Sequence, residues 1–71
     1  MVEVFKTNIT NTEDAQRILS ILQNSFPHYK VNFDLEDCDK ILRVKSPDHN
    51  LRPERIVNTL HQQGFEAAIL P

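Results

Sequence analysis

The side chains of this sequence that could act as metal ligands or nucleophiles are spread along the chain and form no catalytic or metal-binding motif. Asn11 and Asp14 lie three positions apart at the start of a helical pattern. Their amide and carboxylate oxygens suit hard cations, but calcium prefers six or more oxygen ligands, which this short segment does not supply. Alternatively, both residues cap the helix, because Asn and Asp side chains accept hydrogen bonds from the free amides of a first turn. We favour capping.

Cys38 is the only cysteine of the chain, so an internal disulfide is impossible and a reducing compartment is expected. Cys38 could act as a lone thiol ligand or form an intermolecular disulfide. The acidic neighbours Glu36, Asp37 and Asp39 disfavour the thiolate, which is the reactive form of cysteine. We therefore expect an incidental thiol on a polar turn, although this acidic turn could also attract a basic partner.

The three histidines, His28, His49 and His61, do not have the spacing of a metal-binding motif. His28 and His49 are predicted to approach each other at one end of the molecule, where Asp48 could join them. No motif brings together a nucleophile, a base and an orienting group, and no glycine-rich loop is present to hold a phosphate. The sequence therefore predicts a protein that is not an enzyme and that has no cofactor.

Hydrophobic periodicity predicts the elements that would position these residues. Alternating apolar side chains indicate strands at residues 2–9, 29–35, 41–45 and 65–70. A first helix is predicted to begin with Thr10 and Glu13 as a capping box and to end at Pro27. A second helix is predicted to begin at Pro53, which suits a first turn, and to end before Gly64, which suits a left-handed residue.

The order strand, helix, strand, strand, helix, strand predicts an α+β, ferredoxin-like sandwich. One four-stranded antiparallel sheet would carry both helices on one face, and residues 1–71 are enough for a single such domain. In this topology, three connections share one end of the molecule: the loop at 8–14, the hairpin turn at 37–39 and the corner at 64–65. The residues with candidate ligand chemistry at the first loop and at Cys38 are therefore expected to lie near one another.

The sheet face without helices is predicted to carry Val4, Ile41 and Leu70, an apolar patch that could support dimerisation or partner docking. RNA recognition modules of this topology stack bases on aromatic side chains of that face. Here the strand aromatics are expected mostly on the helix-packed side; they are Phe5, Tyr29, Phe33 and Phe65. The net charge of −2 also argues against phosphate neutralisation, so no nucleic-acid partner is expected.

Three segments resemble the heavy-metal-associated domain, the small module of copper chaperones and P-type ATPase tails. Phe5-x-Thr7-x-Ile9 is similar to the first strand as it enters the metal loop, and Lys40-Ile41-Leu42-x-Val44 is similar to the third strand. Ile56-Val57-x-x-Leu60-x-x-x-Gly64-Phe65-x-Ala67 is similar to the closing helix and strand. The resemblance covers nearly the whole chain and implies the same ferredoxin-like fold.

The metal loop of that family reads G-M-x-C-x-x-C, and its two thiolates bind Cu(I) or another soft ion that the domain passes to a partner. In this chain Ile9 stands at the Met position, Asn8 at the Gly position, and Asn11 and Asp14 at the two Cys positions. Soft ions need soft ligands. The resemblance therefore implies a scaffold that is kept and a CxxC metal site that is lost.

We expect a small non-catalytic domain that binds a protein partner or a second copy of itself. Docking is expected at the end that serves docking in the family, formed here by Ile9, Thr10, Asn11, Thr12, Asp14, Cys38 and Phe65. The alternative is binding or transport of a heavy metal of the copper or zinc type, through Cys38 with help from the first loop or through ligands shared across a dimer. Asn11, Asp14 and Cys38 are the candidate ligands in that case.

The N-terminal segment has no basic region followed by an apolar stretch, which a signal peptide would require. No apolar run approaches the roughly 20 residues that cross a bilayer. We therefore expect a cytoplasmic protein without membrane insertion.

Overall fold

The computed structural model describes residues 1–34, 40–47 and 51–70. Its elements are β1 (Val2–Thr7), α1 (Thr12–Ser25), β2 (Lys30–Asp34), β3 (Ile41–Lys45), α2 (Pro53–Gln62) and β4 (Ala67–Ile69). The predicted order of elements is confirmed. The predicted hairpin turn at 37–39, which includes Cys38, and the predicted approach of His49 and Asp48 to His28 lie outside the described residues. Within those residues, neither helix is long and apolar enough to cross a membrane.

The four strands form one sheet in the order β2-β3-β1-β4, and every neighbouring pair is antiparallel. Leu42 in β3 lies opposite Phe5 on one side and Phe33 on the other, so these three side chains share a face. The two helices occur in the crossover connections of this sheet. The structure thus confirms the α+β, ferredoxin-like arrangement.

β2 begins at Lys30, one residue later than predicted. β1 and β4 are also shorter than the apolar pattern predicted, and local hydrogen bonds explain these two differences. β1 ends at Thr7 rather than at residue 9, because the amide of Ile9 donates to the Thr7 hydroxyl and the backbone turns. β4 begins at Ala67 rather than at residue 65, because the amide of Glu66 donates to the side chain of Asn8. Both departures lie where β1 and β4 meet the loops.

The hydrophobic core lies between the sheet and both helices. Ile18 and Leu22 of α1 and Ile56 and Leu60 of α2 are each 0% exposed and belong to one buried cluster with Phe5. Burial of such a side chain stabilises the fold by about 1.5 to 3 kcal/mol. The other aromatic residues that were assigned to strands from the sequence pack against this cluster, as predicted; they are Tyr29, Phe33 and Phe65.

The opposite surface of the sheet, here called the open face, is formed by side chains that alternate with those of the core. The strand register places Val4 beside Arg43, and Lys6 beside Ile41. Leu70 continues the pattern, because its amide donates to the Val4 carbonyl at 2.8 Å. The predicted apolar patch is only partly correct: Val4 and Leu70 are half-exposed, whereas Ile41 is 3% exposed and contributes almost no surface.

Candidate functional site

Hydrogen bonds to Thr7 join the end of β1 to the start of β3. The Thr7 hydroxyl donates to the Lys40 carbonyl at 2.8 Å and accepts from the Ile9 amide at 3.3 Å. The Thr7 amide donates to the same Lys40 carbonyl at 3.2 Å. Lys40 has a φ of 52°, in the left-handed region that non-glycine residues rarely adopt, so these bonds hold a strained residue in place.

Asn8 ties the first loop to the corner between α2 and β4. Its Oδ1 accepts from the Glu66 amide at 2.9 Å, and its own amide donates to the Glu66 carbonyl at 3.3 Å. Gly64 turns this corner with a φ of 87°, which confirms its predicted left-handed role. The first loop and the corner therefore share one end of the molecule, as predicted. We call this surface, formed by residues 8–12, Lys40 and 64–66, the loop end.

Asn11 and Asp14 cap α1 and bind each other. Asn11 Oδ1 accepts from the Asp14 amide at 2.8 Å, and Asn11 Nδ2 donates to Asp14 Oδ2 at 2.9 Å. Asp14 also lies in the first turn, where its charge favours the positive end of the helix dipole. The capping interpretation is confirmed, but the predicted capping box of Thr10 and Glu13 is wrong by one residue. Asn11 is the residue with extended backbone before the helix, so its side chain is the one that reaches the third helical amide.

These bonds occupy the oxygens that a cation would need at the two positions aligned with the family's cysteines. Asn11 Oδ1 is used by the cap, Asp14 Oδ2 accepts from Asn11, and Asp14 Oδ1 lies 3.7 Å from Arg17 Nη2. In the part of the chain that the structure describes, no group of three or more His, Cys, Asp or Glu side chains could hold a metal ion. The third candidate ligand, Cys38, lies outside that part.

Among the predicted docking residues that the structure describes, one is buried and the others are at least partly exposed; Cys38 lies outside the described residues. Ile9 is 0% exposed and belongs to the core, so it packs under the loop and offers no surface to a partner. Thr10, Asn11 and Thr12 are exposed, and Asp14 is half-exposed. Phe65 is half-exposed, and the Arg17 guanidinium lies over its ring at 5.8 Å from the centroid, a cation–π contact between α1 and the corner.

A cleft of about 430 Å³ lies beside the loop end along β1 and β4. Its polar lining includes Lys6, His61 and Glu66, so the third histidine faces this cleft instead of continuing the core stripe of α2. The one hydroxyl among its lining residues belongs to Thr7 and is bonded to Lys40.

His28 lies far from this end, in a hollow of about 250 Å³ that it lines with Lys30, Lys45 and Pro47. Two of these four side chains are lysines and none is acidic, which distinguishes the hollow from the mixed lining of the larger cleft. This hollow was not predicted, because Lys30 and Lys45 become neighbours only through the pairing of β2 with β3.

No protein-family model matches the sequence, and a comparison with curated proteins finds no match. The ferredoxin-like fold is confirmed by the structure, while membership of the heavy-metal-associated family stays a prediction that depends on the sequence motifs.

Proposed function

We propose that this protein is a non-catalytic protein-interaction domain that docks through its loop end and does not carry a soft metal. One observation carries the proposal: Asn11 and Asp14, which stand at the positions of the family's two metal thiolates, are bonded to each other as a helix cap. An amide and a carboxylate are poor ligands for Cu(I) even when free. Here they would also have to leave the cap in order to bind.

The loop end has features that favour docking. Bonds from Thr7 to Lys40 and from Asn8 to Glu66 hold its segments together across long sequence separations. A surface that is already ordered loses less conformational entropy on binding. Arg17 and Phe65 lie in contact at its edge, and arginine and aromatic residues are common anchors of protein interfaces.

We further propose that the protein acts in the cytoplasm without a cofactor and that its partner is another protein or a second copy of the chain. The competing proposal is metal transport through Cys38. A metal-dependent dimer that Cys38→Ala abolishes would favour that proposal, and light scattering coupled to size-exclusion chromatography measures it directly.

Docking itself can be tested by crosslinking tagged protein to its partners in the cells that express it. The loop-end variant is Thr10→Arg with Thr12→Arg, both exposed positions. The matched control is Ser20→Arg with Asn24→Arg, two exposed positions in the distal half of α1. We expect the loop-end variant to lose crosslinked complexes that the control retains. Equal complexes from both variants, with unchanged melting temperatures, would contradict docking at this end.

A further inference from the structure

The open face is strongly basic, although the chain as a whole is acidic. Four of the eight Lys and Arg residues point from it, namely Lys6, Lys30, Arg43 and Lys45, as the register of the three long strands requires. The same face carries a single carboxylate among its described residues, Asp34 beside Ile41. The described residues of this face therefore carry an excess of three positive charges, on a molecule whose net charge is −2.

Two of these cations lie directly opposite each other. Lys30 of β2 pairs with Lys45 of β3, and both line the hollow that also contains His28. Like charges directly opposite on neighbouring strands destabilise a sheet. In the described part of the chain, the only ion pair within 4.0 Å joins Arg17 and Asp14, on the other side of the molecule. The isolated domain thus retains an unfavourable pair that an acidic ligand would relieve.

The basic residues lie beside an aliphatic strip on the same face. Val2 is 54% exposed and lies opposite Lys45, while Val4 lies opposite Arg43. Leu70 adjoins Val4 through its backbone hydrogen bond of 2.8 Å. The open face therefore has two lanes that run along the strands. Three of its four cations lie on β2 and β3, whereas the aliphatic side chains lie on β1 and the end of β4, where Lys6 is the fourth cation.

We infer that the open face binds an acidic amphipathic helix of a partner protein. Neighbouring strands are about 4.8 Å apart, so the midlines of the two lanes, each two strands wide, lie about 10 Å apart, close to the 10 to 12 Å width of roughly one α-helix. The face extends about 13 Å from Val2 to Lys6, which matches two to three helical turns. A helix with carboxylates on one flank and apolar residues on the other would complement both lanes. This inference depends on the proposed function only in that the occupant is a protein.

The charges select against other occupants. A second copy packed face to face would oppose two surfaces with the same positive excess, which like-charge repulsion disfavours. Single-stranded nucleic acid binds by stacking on aromatic side chains, and the strand aromatics Phe5 and Phe33 lie on the core side of the sheet. A nucleic acid that bound through its phosphates alone would make no contact with the aliphatic lane.

The test uses a synthetic helical peptide of about ten to fifteen residues, long enough to cover the face, with leucines on one flank and glutamates on the other. The control peptide has glutamine in place of every glutamate. The ¹⁵N-labelled full chain is titrated with each peptide, and NMR chemical shifts report the site and the affinity. We expect the acidic peptide to shift amides of β1, β2 and β3 and to bind more tightly than its control.

Two charge reversals separate this site from general attraction. Lys45→Glu should weaken peptide binding roughly fivefold or more. It should also raise the melting temperature of the free protein, because it brings a carboxylate opposite Lys30. Arg55→Glu, an equal charge change at an exposed position of α2, should leave binding within about twofold.

The inference is overturned if the two reversals weaken binding equally, if the shifts map to the loop end, or if neither peptide binds at millimolar concentration. It is also overturned if anionic phosphatidylserine vesicles or oligouridylate bind more tightly than the peptide with the same dependence on Lys45. Shifts confined to the loop end would still leave the proposed function standing. Tight Cu(I) binding, in contrast, would defeat the proposed function and not the peptide site.

Discussion

Replacing Asn11 with alanine removes the cap on which our interpretation of the first loop depends. The change deletes the acceptor of the 2.8 Å bond from the Asp14 amide and the donor of the 2.9 Å bond to Asp14 Oδ2. Loss of such a cap costs about 1 kcal/mol, within a range of roughly 0.5 to 2 kcal/mol. The second bond lies in water and contributes little. For a domain of 71 residues, we expect the melting temperature to fall by about 4 to 8 °C per kcal/mol.

The neighbouring Thr10 provides the matched control, because the sequence alone favoured it as the cap. Thr10→Ala should change the free energy of unfolding by less than about 0.5 kcal/mol. Asn11→Ser should restore most of the loss, since a serine hydroxyl also accepts from the third helical amide. Urea denaturation followed by circular dichroism measures all three variants. A loss for Thr10→Ala that equals or exceeds the loss for Asn11→Ala would refute the assigned cap.

Three further pairs of substitutions test the packing that supports the site. Thr7→Val should destabilise the domain by about 1 to 3 kcal/mol, because it leaves the Ile9 amide without its acceptor, whereas Thr7→Ser should be milder; equal costs in urea denaturation would contradict this role of the hydroxyl. Gly64→Ala should cost about 1 to 2 kcal/mol in the same assay, although nothing lies within 4 Å of the added carbon, because the φ of 87° disfavours a side chain. Gly64→Asn should cost less. An unchanged free energy of unfolding for Gly64→Ala would contradict this prediction, because it would show that the backbone of the corner adjusts to a side chain. Leu22→Ala, at a fully buried position, should cost about 2 to 5 kcal/mol, and Gln16→Ala, at an exposed position of the same helix, should cost under about 0.5 kcal/mol; similar values for the two would contradict the core assignment.

The sequence was sufficient to predict the fold because its hydrophobic periodicity is strong and because proline and glycine residues mark the ends of the helices. The predicted bounds of β3 are the same as those in the structure, because its short, mostly apolar run lies between two polar segments. The start of α2 at Pro53 and the left-handed turn at Gly64 were also predicted, because these residue types have few other roles at helix ends.

Details of the site were beyond local sequence patterns. Thr10 and Asn11 are both good caps, and the choice between them depends on where the backbone leaves the extended conformation. The bonds from Asn8 to Glu66 and from Thr7 to Lys40 join residues 58 and 33 positions apart, and no local motif encodes them. Ile9 likewise is buried in a core cluster that it shares with residues of both helices, far apart in the sequence.

The basic open face illustrates the same limit. Each of its cations occupies a polar position in an alternating strand pattern, where a charged residue is common. The net charge of −2 gives no indication that these cations lie on one face. Lys30 and Lys45 are separated by a hairpin in the sequence and become opposed only in the register of β2 and β3. A signal was nevertheless present, because the outward positions of the predicted strands 41–45 and 29–35 include Arg43, Lys45 and Lys30.

The central claim is that the scaffold of the first loop is intact while its soft-metal ligands are absent. The most direct measurement is a Cu(I) titration against a competing chelator, made on Cys38→Ser and on the same variant with Asn11→Cys and Asp14→Cys added. Side chains at positions 11 and 14 already meet at 2.9 Å, so two thiols there are placed to share one ion. We predict no one-to-one complex of sub-micromolar affinity for Cys38→Ser alone, and such a complex once both cysteines are introduced. A tight complex with Cys38→Ser alone would contradict the claim, as would a folded variant with both cysteines that leaves Cu(I) with the chelator.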